Sequence, residues 1–103
     1  MEFKELQHKL VVNAKDYGRQ FGVTIDQDFA LLKLYEEVGE YAQAVLIHRK
    51  QSRPEKHVSE AESKKLLAAE LADILGLVAL NADLFGLDLE QAFTEKWFNR
   101  KRK

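Results

Sequence analysis

Four carboxylates in two stretches of this chain stand at spacings that suit a divalent metal ion. Glu37 and Glu40 are three residues apart, as are Glu70 and Asp73, and residues three apart share one face of a helix. Glu70 and Asp73 interrupt an apolar run from Leu66 to Leu87, a run of about six helical turns. They share a face with Leu66, Leu77, Asn81 and Leu84, and such a face is otherwise expected to be buried. A buried carboxylate without a partner is costly, so it is protonated, paired with a base or bound to metal. Two helices packed side by side would join the two pairs. An all-oxygen donor set of this kind suits magnesium, with manganese as the other candidate. Glu37, Glu40, Glu70 and Asp73 are therefore the expected metal ligands.

The elements that position these acids are predicted to be helices throughout. Apolar residues recur at spacings of three and four, and Pro54 is the single proline. A first helix is expected over about 2–20, with Phe3, Leu6, Leu10, Ala14 and Tyr17 on one stripe and Gly22 just past its end. Thr24 and Asp26 can cap a second helix over about 27–50, whose buried positions would be Leu31, Leu34, Tyr35, Val38, Ala42 and Val45. The charged segment from Lys50 to Val58 reads as a loop. Ser59 with Glu62 reads as a capping box for the third helix, and Gly86 stops that helix. Asp88 and Gln91 open a fourth, which carries Leu89, Ala92, Phe93 and Trp97.

Composition sets the outer limits. The chain has 103 residues, 46% hydrophobic and 32% charged, which fits one globular domain over 1–103. A net charge of -1 gives no general attraction to nucleic acid, although the stretch from Lys96 to Lys103 is basic and lacks acids. The absence of cysteine removes thiolate catalysis and Cys-type zinc sites, and it fits a cytoplasmic setting. The amino-terminal stretch does not read as a signal peptide. Acids within the long apolar run argue against a membrane span. Helix three is apolar on nearly every side, so a homodimer or homotetramer is expected to cover it.

The acidic clusters also carry a resemblance. Glu36-Glu37-Val38-Gly39-Glu40 fits E-E-x-x-E, Glu70-Leu71-Ala72-Asp73 fits E-x-x-D, and Gly86-Leu87-Asp88-Leu89 supplies a following turn. In this order they resemble the MazG-like branch of the all-alpha nucleoside triphosphate pyrophosphatases, over about Phe29 to Arg100. The resemblance implies an all-α, four-helix-bundle-like, oligomeric fold. It also implies magnesium-dependent hydrolysis of a nucleoside triphosphate to a monophosphate and pyrophosphate, in the service of the nucleotide pool. Lys96, Asn99 and Arg100 are similar to the basic and amide residues the family places on its last helix.

Hydrolysis at an α-phosphorus requires several phosphate charges and a water to be gathered in one place, and magnesium bound by carboxylates does this. Glu36 and Glu37 are the expected catalytic pair. Glu36 points about 100 degrees from Glu37 on the helix, so it either holds a second ion or orients the water. Lys33 and Asn81 join Lys96, Asn99 and Arg100 as candidates to hold substrate. Di-iron chemistry is disfavoured, because Glu5 to His8 is the sole Glu-x-x-His. Two alternatives stay open: a phosphoribosyl-ATP pyrophosphohydrolase of histidine synthesis, and a non-enzymatic dimeric module that binds a basic partner.

Overall fold

Capping side chains start three helices at the places the sequence marks. A computed structural model describes residues 1–99. Asp26 accepts the Phe29 N–H at 2.8 Å and opens α2 (Gln27–His48), which follows α1 (Phe3–Phe21). The Ser59 hydroxyl accepts the Glu62 N–H at 3.1 Å and opens α3 (Glu60–Leu84). Asp88 accepts the Gln91 N–H at 3.0 Å and opens α4 (Leu89–Phe93), which continues as a π-helical segment over Thr94–Asn99. Each cap satisfies a backbone donor that the first turn leaves orphaned. The α2–α3 loop contains one 3-10 turn, Pro54–Lys56, and no strand occurs among the described residues.

Glycines end α1 and α3 as expected. Gly22 and Gly86 sit at φ 66 and 68, the left-handed region that L side chains avoid. Gly18 has a different reason to be glycine: a Cβ there would lie 2.4 Å from Ile25 Cγ1 and 2.8 Å from the Val23 carbonyl. The chain therefore folds back tightly over the end of α1 on its way to α2.

The all-α architecture centres on α3, which packs mainly against α2 and, on another side, against α1. Two polar contacts fix the antiparallel register of α2 and α3. At one end the Asn81 amide donates to the Ala30 carbonyl at 3.1 Å. At the other, His48 Nδ1 lies 2.8 Å from the buried Ser63 hydroxyl, which itself donates to the Glu60 carbonyl. The acidic residues lie between these two contacts.

The inward face of α2 differs from the predicted one. Its buried positions are Ala30, Glu37 and Ala44, spaced by heptads, with Leu34 and Val45 half-buried. Leu31, Tyr35 and Val38, expected in the core, are instead 47%, 69% and 46% exposed; Ala42 is exposed as well. The helix is apolar on two faces and only one can meet α3. The face that meets it carries the alanines, and small side chains favour close packing of helices.

The first-helix stripe is placed as expected, with Phe3, Leu6, Leu10 and Ala14 half-buried, although Tyr17 lies more open. At the carboxyl end, Phe93 meets Phe3 edge to face at 5.9 Å, while Trp97 and Phe98 stand exposed. The radius of gyration, 16.3 Å, exceeds the ~13 Å of a compact chain of this length.

Candidate metal centre

The α2 heptad turns Glu37 toward α3, and Glu40 follows one turn later on the same face. From α3, Glu70 and Asp73 approach in the same way. One oxygen from each of the four lies within 4.8 Å of the others. Glu37 is buried at 8% exposure, Glu40 and Glu70 are half-buried, and Asp73 opens to solvent. The two expected acidic pairs thus converge on one point.

Their electrostatics show what the arrangement lacks. Burial pushes the Glu37 carboxyl from its ordinary 4.5 up to about 7, helped by a hydrogen bond with Glu40 and by the charges of Glu40, Asp73 and Glu70. Glu70 is raised as well, first by burial and then by Glu40 and Asp73. Oε2 of Glu37 and Oε2 of Glu70 are buried without a hydrogen-bond partner. Buried carboxylate oxygens are nearly always satisfied. A hard divalent cation would satisfy both and reverse the mutual repulsion, so the donor set fits magnesium or manganese.

Of the other expected residues, Lys33 lies beside the acids, and the rest of those among the described residues are placed elsewhere. Glu36 is exposed and outside the cluster; its Oε1 accepts from Lys33 Nζ at 2.7 Å, and that hydrogen bond raises the lysine's pKa. Lys33, with Glu37 and Asp73, lines a pocket of about 300 Å³ between α1, α2 and α3. Asn81, expected to face substrate, instead donates through Nδ2 inside the fold, to Ala30 and to the Leu77 carbonyl at 2.7 Å. Lys96 is exposed, and Asn99 lines a separate surface hollow with Lys4 and Asp88. Neither lines the pocket beside the acids. Arg100 lies outside the described residues.

The pocket residues absent from the sequence-based candidates include Asn13, Tyr17, Phe29 and Gly76. Tyr17 reads from sequence as part of the core stripe of α1. Gly76 carries the one available signal, a glycine in mid-helix where helix propensity disfavours it.

Comparison with known proteins identifies a family. The family model of the MazG nucleotide pyrophosphohydrolase domain matches residues 27–103. The chain belongs to that family. The MazG match includes α2, α3 and all four acids, and α1 precedes it. The chain is also 44% identical over 59 residues to the uncharacterized protein YvdC of Bacillus subtilis (strain 168), a match covering 55% of this chain and 56% of that protein. The chain thus spans about half the length of the curated relative it matches. No solved structure matches it. No helix of the described residues is long and apolar enough to cross a membrane.

Proposed function

We propose that this MazG-family chain is a magnesium-dependent hydrolase that converts a ribo- or deoxyribonucleoside triphosphate to its monophosphate and pyrophosphate. The observation that carries the reading is the convergence of Glu37, Glu40, Glu70 and Asp73, with two buried oxygens that lack partners, beside a pocket that Glu37 and Asp73 line and that is large enough for a small ligand. Family membership supports it.

The four carboxylates would hold the ion. When bound, magnesium supplies positive charge that gathers phosphate oxygens and offsets charge developing on the leaving pyrophosphate. Water adds to the α-phosphorus, a carboxylate of the cluster accepts its proton, and the bond to the bridging oxygen breaks, so that pyrophosphate leaves. Of the two carboxylates considered for the acid–base role, Glu37 belongs to the cluster, whereas Glu36 holds Lys33. Lys33 stands at the pocket wall beside Glu37 and Asp73, where its ammonium can meet the phosphates. Glu36 fixes that ammonium, so its part in the reaction is positional.

The same reading includes an assembly. Leu31, Leu32, Tyr35 and Val38 expose an apolar face of α2, and Leu71 and Leu75 expose one of α3. Faces of this kind are covered in homodimers or homotetramers. In such an assembly Lys96, Asn99 and Arg100 are candidates to reach the phosphates of a neighbouring subunit. A cysteine-free chain is also compatible with a cytoplasmic setting.

Pyrophosphate release from a panel of ribo- and deoxyribonucleoside triphosphates, with and without magnesium, tests the proposal. Release that needs the ion and is abolished in Glu40→Gln and Asp73→Asn is expected. Silence across the panel, in folded protein that magnesium stabilises, would overturn the substrate class. Silence with no effect of the ion would favour the interaction module.

A further inference from the structure

Gly76 has no packing reason to be glycine. It sits in the middle of α3, a 25-residue helix, where glycine is less stable than alanine. Gly18 shows what a steric requirement looks like, since a Cβ placed there would meet atoms at 2.4 Å and 2.8 Å. At Gly76 the nearest atom would be Leu10 Cδ2 at 3.8 Å, an ordinary van der Waals contact. Its φ is not in the left-handed region either, since Gly22 and Gly86 are the positive-φ glycines. The fold would accept a side chain there.

What the missing side chain does create is room. Gly76 lines the pocket that reaches the metal centre, on whose wall stand Glu37, Asp73 and Lys33. Part of the lining is apolar, with Leu10, Phe29 and Leu77, and α1 adds Asn13 and Tyr17, which bring an amide and a phenol to the same pocket. A ligand that fits both parts has a polyanionic end for the ion and lysine, and a flat apolar body with a hydrogen-bonding edge for the α1 side. A nucleobase on a triphosphate has both.

We infer that Gly76 is a size gate for the nucleobase, which lies against Gly76 and α1, and that Asn13 reads its edge. The inference rests on the pyrophosphohydrolase reading and deepens it. The matched MazG span begins at residue 27, so the α1 wall is a feature of this chain outside that span.

The test is calorimetric titration of wild type, Gly76→Ala and Asn13→Ala with magnesium and α,β-imido analogues of purine and pyrimidine nucleoside triphosphates. Inorganic tripolyphosphate serves as the probe without a base. One added methyl in an apolar pocket changes affinity by about 10- to 200-fold. Gly76→Ala is expected to weaken the nucleotide analogues at least tenfold, purines most, and to leave tripolyphosphate unchanged. Its Tm is expected to rise, since the helix gains an alanine. Asn13→Ala is expected to alter the ratio of affinities among bases without moving tripolyphosphate. Equal analogue binding by wild type and Gly76→Ala, an equal loss for tripolyphosphate, or no analogue binding by wild type would each overturn the gate. Pyrophosphate release by wild type separates the two claims. Release with an unaffected Gly76→Ala retires the gate and keeps the hydrolase, whereas gated binding without release retires the hydrolase and keeps the gate.

Discussion

Glu37 and Glu70 each bury one carboxylate oxygen without a hydrogen-bond partner, one from α2 and one from α3, in the same four-acid cluster. Two such oxygens in one place oppose the packing of the helices that carry them. A bound cation removes that opposition.

Magnesium is therefore expected to stabilise the folded chain. Ligand at a hundred times its Kd contributes about 2.7 kcal/mol, and each kcal/mol moves the Tm of a domain this size by roughly 4 to 8 °C. Differential scanning calorimetry with and without magnesium should show a rise on the order of 10 °C or more. Glu40→Gln should behave in the opposite way. Without the ion it should melt above wild type, because one repelling charge is gone, and magnesium should then add little.

The metal-free protein should also lose stability as pH rises. A carboxyl whose folded pKa lies above its unfolded value binds more protons when folded, so its contribution is present below the unfolded value and is lost as pH rises through the folded one. For Glu37 the window runs from 4.5 to about 7, and Glu70 acts in the same direction. Urea midpoints of wild type and Glu37→Gln across that window should diverge, with wild type losing ground toward neutral pH. Saturating magnesium should remove the divergence in wild type. A gap that does not change with pH would contradict the burial of Glu37.

Asn81→Ala separates a structural amide from a substrate contact. The side chain ties α3 to the Ala30 carbonyl of α2 and to Leu77 within α3. Losing these bonds should cost about 1–3 kcal/mol in urea unfolding. KM for the triphosphate should stay near wild type at a temperature where both proteins are folded. A raised KM with unchanged stability would return Asn81 to the substrate.

Lys33→Met should do the reverse. The Lys33–Glu36 pair is substantially exposed, and such pairs are worth about 0–1 kcal/mol. Stability should barely move, whereas steady-state kinetics should show a KM raised about tenfold or more, the loss expected when a charged hydrogen-bonding group is removed from phosphate.

The sequence makes some of this legible and hides the rest for physical reasons. Caps at Asp26, Ser59 and Asp88 act within three residues, so helix starts can be read directly. The metal site is readable because each half is a three-residue spacing on one helix. The inward face of α2 is not, since Leu31, Tyr35 and Val38 form as good an apolar stripe as the face that is buried. Hydrophobicity alone favours the large side chains, and close approach of backbones favours Ala30 and Ala44. Asn81 misleads for a related reason. Its acceptors are backbone carbonyls, one of them 51 residues away, and a carbonyl carries no residue-type signal. Gly76 and Tyr17 become pocket residues only once α1 lies beside α3.

Ala30 and Ala44 stand one heptad on either side of Glu37, on the buried face of α2. Packed helices lie about 8–10 Å apart according to the side chains between them, and alanine sets the short end of that range. Small side chains on either side of Glu37 are therefore expected to let the opposing carboxylates come close. A bulkier residue at either position would push α2 away from α3 and carry the two acidic pairs apart with it, so the packing of the core and the closeness of the acids are one property of the seam.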